Sequence, residues 1–327
     1  MAPMIMSRTP LRVSFVGGGT DIRECYSRIG GAVVSAAIDR HIHIIVNDKF
    51  DNMIRASYSK TEIVSKVDDL RHPLIREALR LLGIEGSIEI LSISDIPSEG
   101  TGLGSSSSFT VGLLNALHAW LGEHVSAKQL AEEACRIERE IVKDPGGKQD
   151  QYIAAYGGLR YIEFQPDEEV RVSYVLMPDS RRNRFEESLM LFYTGVTRSS
   201  TSILKEQIGG MEGRMDYYST MKGLASEYKN ALEKGEIDRA GRIMHDAWEI
   251  KKSFSNGISN SVIDRYYAGA VEAGAYGGKI TGAGGGGFLL LLVDPDKKGS
   301  VRQALGALRE VDIHIDSQGS RIVYVGD

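Results

Sequence analysis

Apolar and polar positions along the chain change their period several times, and each change marks an element. Ile5–Val16, Ala32–Ile38, His41–Asp48 and Ser87–Ile96 are β-rich or alternate with period two, which predicts strands. Leu70–Leu82, Phe109–Leu121 and Ala127–Val142 carry apolar residues at helical spacing. In the second of these, Val111, Leu114, Leu117, His118 and Leu121 share one side, and Gly122 ends the run. Strand patterns return at Leu159–Phe164, Val170–Leu176 and Leu189–Thr194. From Ser199 to about Ala273 the chain reads as largely helical, with stops near Gly235 and Gly257. It closes on a glycine loop, a strand at Phe288–Val293, a helix at Gly299–Arg309 and two short strands. The composition changes at the basic stretch Arg181-Arg182-Asn183-Arg184, which sets a boundary between residues 1–180 and 181–327. The pattern predicts an α+β protein in two lobes.

Composition narrows the function classes. The 327 residues suffice for roughly two domains with a real core. A net charge of −5 supplies no overall positive field for nucleic acid or an anionic membrane. No apolar run approaches the ~18 residues of a membrane span, and the N-terminus lacks a signal-peptide core, so a cytoplasmic protein is expected. Cys25 and Cys135 are too few for a disulfide framework or a thiolate zinc site. His41 and His43 alternate along a strand pattern without a carboxylate or Cys partner, which argues against a metal site. Glycine is in excess, 37 residues, and much of that excess lies in short clusters.

The most informative cluster is Pro97-Ser-Glu-Gly-Thr-Gly-Leu-Gly-Ser-Ser-Ser-Ser108, set between a strand pattern and a helix pattern. Glycines let successive backbone amides turn toward one point, and the helix that follows adds its positive dipole end, which suits a polyphosphate. No Lys-Ser or Lys-Thr pair follows the glycines, so this is not a Walker loop. Gly100-x-Gly102-x-Gly104 also lacks the Rossmann spacing. A flexible linker is the plain alternative. A second cluster, Gly277-Gly-Lys-Ile-Thr-Gly-Ala-Gly-Gly-Gly-Gly287, precedes the apolar strand and suggests close backbone approach. A third, Val16-Gly-Gly-Gly-Thr-Asp21, ends the first strand with an acid at its mouth. The fourth feature is Asp144-Pro-Gly-Gly-Lys-Gln-Asp150, behind a helix pattern carrying Glu138 and Glu140.

Together these stretches resemble the GHMP small-molecule kinases, a family that includes galactokinase, homoserine kinase, mevalonate kinase and phosphomevalonate kinase. Arg8–Asp21 looks like the family's first motif, Pro97–Ser108 its ATP-binding second motif and Gly277–Gly287 its third, in the family's order. Within the family, Gly-Gly-Gly-Thr-Asp after Arg-x-Pro-Leu-Arg, with Phe192–Ser200, is most similar to the bacterial D-glycero-D-manno-heptose 7-phosphate kinases. Fucokinase-type enzymes share Gly-Gly-Gly-Thr-Asp. Galactokinases carry Glu and His where Gly18 and Gly19 stand here, which argues against galactose.

The resemblance implies a two-lobed fold, with a left-handed βαβ unit in the N-terminal ATP-binding lobe and a ferredoxin-like C-terminal lobe. It implies ATP and Mg²⁺ as cofactors and a sugar phosphate as partner, with a homodimer as candidate assembly and no nucleic acid or membrane. The reaction implied is phosphorylation of the anomeric hydroxyl of D-glycero-D-manno-heptose 7-phosphate to the 1,7-bisphosphate, on the route to GDP-heptose for surface polysaccharide. A 1-kinase for an unphosphorylated sugar such as fucose, or a non-catalytic sugar and ATP sensor, is the alternative.

Residue by residue, the resemblance gives Gly100, Thr101, Gly102, Leu103, Gly104, Ser105, Ser106 and Ser107 to the nucleotide. It gives Ser106 and Glu138 to the metal, with Glu140 as the other candidate acid. Asp150 would be the catalytic base and Arg12 the cation beside it, Arg12 being alternatively a structural ion pair. Gly18, Gly19, Thr20, Asp21 and Gly284 would face the sugar. Arg198 is the first candidate for a substrate phosphate, ahead of Lys205, Arg181, Arg182, Lys251 and Lys252.

Overall fold

A computed structural model describes residues 3–97, 100–196 and 200–326. The elements in chain order are β1 (Ile5–Val16), α1 (Arg23–Ile29), β2 (Gly31–Asp48), β3 (Ile54–Ser57), β4 (Thr61–Val64), α2 (Pro73–Leu81), β5 (Ile88–Ser94) and α3 (Ser105–Trp120). Then come α4 (Ala127–Cys135), a π-helical segment at Arg136–Ile141, α5 (Gln149–Tyr156), β6 (Leu159–Phe164), β7 (Val170–Tyr174), α6 (Asp179–Glu187) and β8 (Leu189–Tyr193). The remainder comprises α7 (Ser200–Gly209), α8 (Met215–Lys234), α9 (Ile237–Lys252), α10 (Ser261–Glu272), β9 (Ala275–Ile280), β10 (Phe288–Val293), α11 (Lys298–Ala304), β11 (Arg309–Glu310) and β12 (Arg321–Val325).

The first sheet has the order β12-β1-β2-β5-β3-β4, with β6 and β7 branching from β2. Its spine is the 18-residue β2, which pairs with β1 along one side and with β6 and then β5 along the other. The sequence pattern separates Ala32–Ile38 from His41–Asp48, yet the structure runs one strand through both. The break is a bulge: Pro10 faces His41 and Leu11 faces Ile38, leaving Asp39 and Arg40 unmatched. Proline has no amide to give to a ladder, so a bulge beside it costs little pairing. β3 and β5 run parallel with α2 in their crossover, giving the lobe its βαβ unit.

The second sheet has the order β11-β8-β10-β9, all antiparallel. In chain order β8, helices, β9, β10, α11 and β11 make a βαββαβ unit, the ferredoxin-like arrangement expected. β10 is a run of six buried apolar residues at its centre. The two lobes share apolar packing: Phe15 of β1 lies 5.4 Å from Phe185 of α6 and 5.7 Å from Tyr228 of α8. The chain's end does not stay with the second sheet, because β12 pairs with β1. Among the described residues no helix is long and apolar enough to cross a membrane.

The second glycine cluster begins inside β9, where the sequence reading had only a loop. Glycine disfavours strands, but here α9 lies on β9 too closely for a side chain. A Cβ on Gly277 would sit 2.0 Å from the Gly241 carbonyl, and one on Gly241 would meet Tyr276 Cβ at 2.2 Å. Gly277→Ala therefore forces helix and strand apart. It is expected to destabilise the protein by about 3 kcal/mol or more, read as a lowered denaturant midpoint with an unchanged slope.

Candidate active site

One open cavity of about 200 Å³ lies between the lobes and collects residues from all four motif-bearing stretches. Its floor is the loop before α3. Gly102 and Gly104 have φ of 69° and 75°, the left-handed region that glycine enters without strain. Gly104 is the N-cap of α3, so the helix starts within the serines, four residues earlier than the apolar pattern alone predicts. Ser108 already donates its amide to Gly104, leaving the amides of Ser105, Ser106 and Ser107 as the free donors of the first turn.

The third motif clamps this loop from the other lobe. Gly102 and Gly282 touch backbone to backbone, a Cβ on Gly282 falling 2.6 Å from Gly102 Cα. The Thr281 hydroxyl donates to the Thr101 carbonyl at 3.1 Å. A Cβ on Gly287 would lie 2.5 Å from that same carbonyl. Gly102, Gly282 and Gly287 are thus explained by one close approach.

Arg12, on β1, threads between loop and helix. Its Nε and Nη2 donate to the two oxygens of Asp150 at 2.7 and 2.6 Å, and its Nη1 donates to the Gly102 carbonyl at 2.5 Å. Arg12 is buried, whereas the Asp150 side chain keeps 20 % exposure toward the cavity. Asp150 stands in the first turn of α5. Asp21 lies beside it, accepting from the amides of Gly19 at 2.9 Å and Gln149 at 3.3 Å. Burial, and then the nearby Asp150 charge, lift the Asp21 carboxyl above the usual range.

On the far side of the loop, Glu138 projects from the π-helical segment into the cavity lining and is 1 % exposed. Its Oε2 accepts from Ser107 Oγ at 2.9 Å, Gln151 Nε2 at 2.8 Å and Arg139 Nη2 at 3.3 Å. Its Oε1 is buried without a hydrogen-bond partner. Burial raises the Glu138 carboxyl, against the pull of Arg139. Glu140, the other candidate acid, faces solvent away from the cavity.

Several expected site residues are placed differently. Thr20 does not reach the cavity: it is fully buried, its hydroxyl 2.8 Å from the Gly17 carbonyl and accepting from the Ala32 amide at 3.0 Å. It ties the loop to β2. Leu103 is a core side chain that contributes only its carbonyl, to the Arg12 amide at 2.9 Å. The hydroxyl that meets Glu138 belongs to Ser107, while Ser106 lines the same cavity more openly. Gly18, Gly19, Gly100, Thr101, Ser105 and Gly284 line it. Arg198 lies outside the described residues. Arg181 and Arg182 are spent at the surface on Glu233 and Asp179, and Lys252 on Glu249. Lys205 is exposed and does not line the cavity.

Two lysines complete the lining. Lys251 ends α9 and donates to the Gly282 carbonyl at 2.6 Å. Burial pulls it down to about 8. Lys279, in β9, escaped the sequence reading. The available signal was its isolation in a stretch of glycine and apolar residues. Burial, then the Lys251 charge, hold it well below the usual lysine range. His41 also has partners the sequence concealed: it reaches Asp316 at 2.8 Å and Asp95 at 3.5 Å, remote from the cavity lining.

The chain is similar to known proteins along nearly its whole length. The family model described as GHMP kinases N terminal domain matches residues 72–158, and GHMP kinases C terminal matches residues 229–310. The chain is 32 % identical over 315 residues to the D-glycero-alpha-D-manno-heptose 7-phosphate kinase of Campylobacter jejuni subsp. jejuni serotype O:2, covering 92 % of this chain and 93 % of that one. It is 27 % identical over 349 residues to a galactokinase of Pyrococcus furiosus, covering 94 % and 93 %. Among solved structures, a D-glycero-D-manno-heptose 1-phosphate kinase from Bacteriodes thetaiotaomicron superposes with a TM-score of 0.83 at 26 % identity, over 99 % of this chain and 100 % of that one. With its glycine-serine loop, its clamping third motif and the interlobe cavity in place, the chain belongs to the GHMP kinase family.

Proposed function

We propose that the protein transfers the terminal phosphoryl group of ATP to the anomeric hydroxyl of D-glycero-D-manno-heptose 7-phosphate, giving the 1,7-bisphosphate and ADP. The observation that carries this reading is the Arg12–Asp150 pair, whose carboxylate opens into the cavity opposite the glycine-serine loop. Similarity to the Campylobacter jejuni enzyme over nearly the whole chain supports the sugar. We take the lobes to divide near residue 180, with β12 returning to the first.

Phosphoryl transfer needs alignment and charge neutralisation more than covalent help from the protein. The amides of Ser105, Ser106 and Ser107, at the N-terminus of a 16-residue helix, would hold the polyphosphate. Asp150 would take the proton of the sugar hydroxyl as its oxygen bonds to phosphorus and the bond to the departing ADP oxygen breaks. Each carboxylate oxygen has a lone pair beyond the one that Arg12 occupies. Arg12 fixes the carboxylate's orientation and offsets charge on the reacting oxygens. Asp21 would accept sugar hydroxyls.

Mg²⁺ fits the donor set here. A buried carboxylate oxygen without a donor, beside a serine hydroxyl, is hard oxygen chemistry. Among the described residues no cluster of three or more His, Cys, Asp or Glu is placed for a metal, so most of the ion's shell would fall to phosphates and water. Glu138 and the Ser107 or Ser106 hydroxyl would hold the ion, which would neutralise phosphate charge.

ADP release against a panel of sugars and sugar phosphates tests the reading. Turnover of the heptose 7-phosphate is expected. Turnover of free fucose alone would replace the substrate, and no turnover with any sugar would favour a non-catalytic sensor. Asp150→Asn should lower kcat by about 10²–10⁴ while ATP still binds; a near-normal rate would remove Asp150 from the chemistry. Glu138→Gln should shift the Mg²⁺ dependence to at least tenfold higher concentration, and an unshifted titration would reassign the metal.

A further inference from the structure

Gly18 lacks a side chain for a reason that neither its backbone nor its packing supplies. Its φ lies outside the left-handed region, so any residue could adopt its conformation. The place where its Cβ would stand is not crowded either, the nearest atoms being 3.8 Å away. Those neighbours are what single it out. They are Gln149 Nε2 at 3.8 Å, Lys251 Nζ at 3.8 Å and Lys279 Nζ at 3.9 Å. Three nitrogen donors, from the start of α5, the end of α9 and β9, therefore converge beside Gly18 in the cavity lining.

The lysines are 6 % and 4 % exposed. Among the described residues neither has a carboxylate at ion-pair distance. Among the described residues the Lys251 ammonium donates to the Gly282 carbonyl, and the Lys279 side chain has no hydrogen bond. Arg12 adds a third positive charge nearby, but its fork is already filled by Asp150. The Asp21 and Asp150 carboxylates lie near enough to favour both charges but pair directly with neither, so burying the two ammonium groups side by side stays costly unless a ligand supplies the direct countercharge. The depressed titration of both lysines has burial as its leading cause, with their mutual repulsion adding to it at Lys279.

The nucleotide has its own cradle at α3, while Gly18 belongs to the loop that leads to Asp21. Resting on the proposed function, we infer that Lys251, Lys279 and Gln149 form the subsite for the phosphate group carried by the acceptor sugar, and that Gly18 keeps that space clear. Two ammonium groups match a phosphate dianion, and the Gln149 amide gives a third donor with direction. The phosphate so held anchors the sugar while its anomeric end lies at Asp150, one residue from Gln149.

The test compares Lys279→Met, Lys251→Met and Gly18→Ala with the wild type. Each should raise the KM for heptose 7-phosphate at least tenfold and leave the Kd for ATP within twofold. Inorganic phosphate should compete with the sugar phosphate, not with ATP, in the wild type and lose its effect in the variants. An unchanged KM overturns the subsite. ATP binding weakened as much as sugar binding also overturns it, by assigning the lysines to the nucleotide.

Folding of the variants has its own readout. Gly18→Ala introduces no clash, so its Tm should stay put, and removing a buried ammonium should hold or raise Tm. Lys251 titrates near 8 when folded against 10.5 as a free side chain, so the unfolded chain binds the extra proton between those values. The stability gain of Lys251→Met should be greatest below about pH 8 and fade as pH rises toward 10.5. If the wild type accepts only an unphosphorylated sugar, the parent reading fails on its own. The subsite then stands if inorganic phosphate binds the wild type and not Lys279→Met, and falls if both bind alike or neither binds.

Discussion

The Arg12 guanidinium is the interaction on which the site depends. It leaves the first strand, donates to a carbonyl of the nucleotide loop and grips both oxygens of Asp150, so three segments far apart in the chain share one rigid fork. Its stem also lies against Gly104, where a Cβ would come within 2.9 Å of Arg12 Cγ. A lysine could not replace it, because a single ammonium cannot serve two directions at fixed angles. Loss of either partner would leave a charge in a largely dry place, a penalty of about 3–5 kcal/mol when such pairs are fully buried. Local order and the role proposed for Asp150 therefore rest on the same pair.

Around the fork the cavity brings opposite charges together. Asp21 and Asp150 stand beside the Gly17–Asp21 loop, Lys251 and Lys279 approach the same loop at Gly18, and Glu138 meets the serines. Burial pushes Asp21 and Glu138 up and both lysines down, so every one of these groups is held away from its solution preference by the same cause. An anion beside the lysines, or a cation beside Glu138, would favour the charged forms that burial opposes.

The motifs were legible because backbone geometry demands particular residues there. Glycines at 102 and 104 sit where φ is positive, and those at 277, 282 and 287 sit where another backbone passes within van der Waals contact. Resemblance then gave order and roles to Asp150, Arg12 and Glu138. The failures have a common form. Thr20 looked available for sugar because a hydroxyl beside an acid often is, but β2 passes close enough to claim it. Leu103 sits in the right loop and points the wrong way. Gly277 and Gly278 read as loop because propensity knows nothing of a helix lying on the strand. Lys279 was hidden within a run of glycines whose explanation seemed complete.

The chain by itself determined the two-lobed α+β plan, most element positions and the family, since apolar period and glycine placement are local demands that each segment meets on its own. Which hydroxyl meets Glu138, which cations gather beside Gly18, and that the last strand returns to β1 were decided only by tertiary structure. The physical reason is that burial and pairing are properties of neighbours. A lysine's charge is cheap or costly according to what packs around it, and in a chain folded across two sheets those neighbours come from segments hundreds of residues apart.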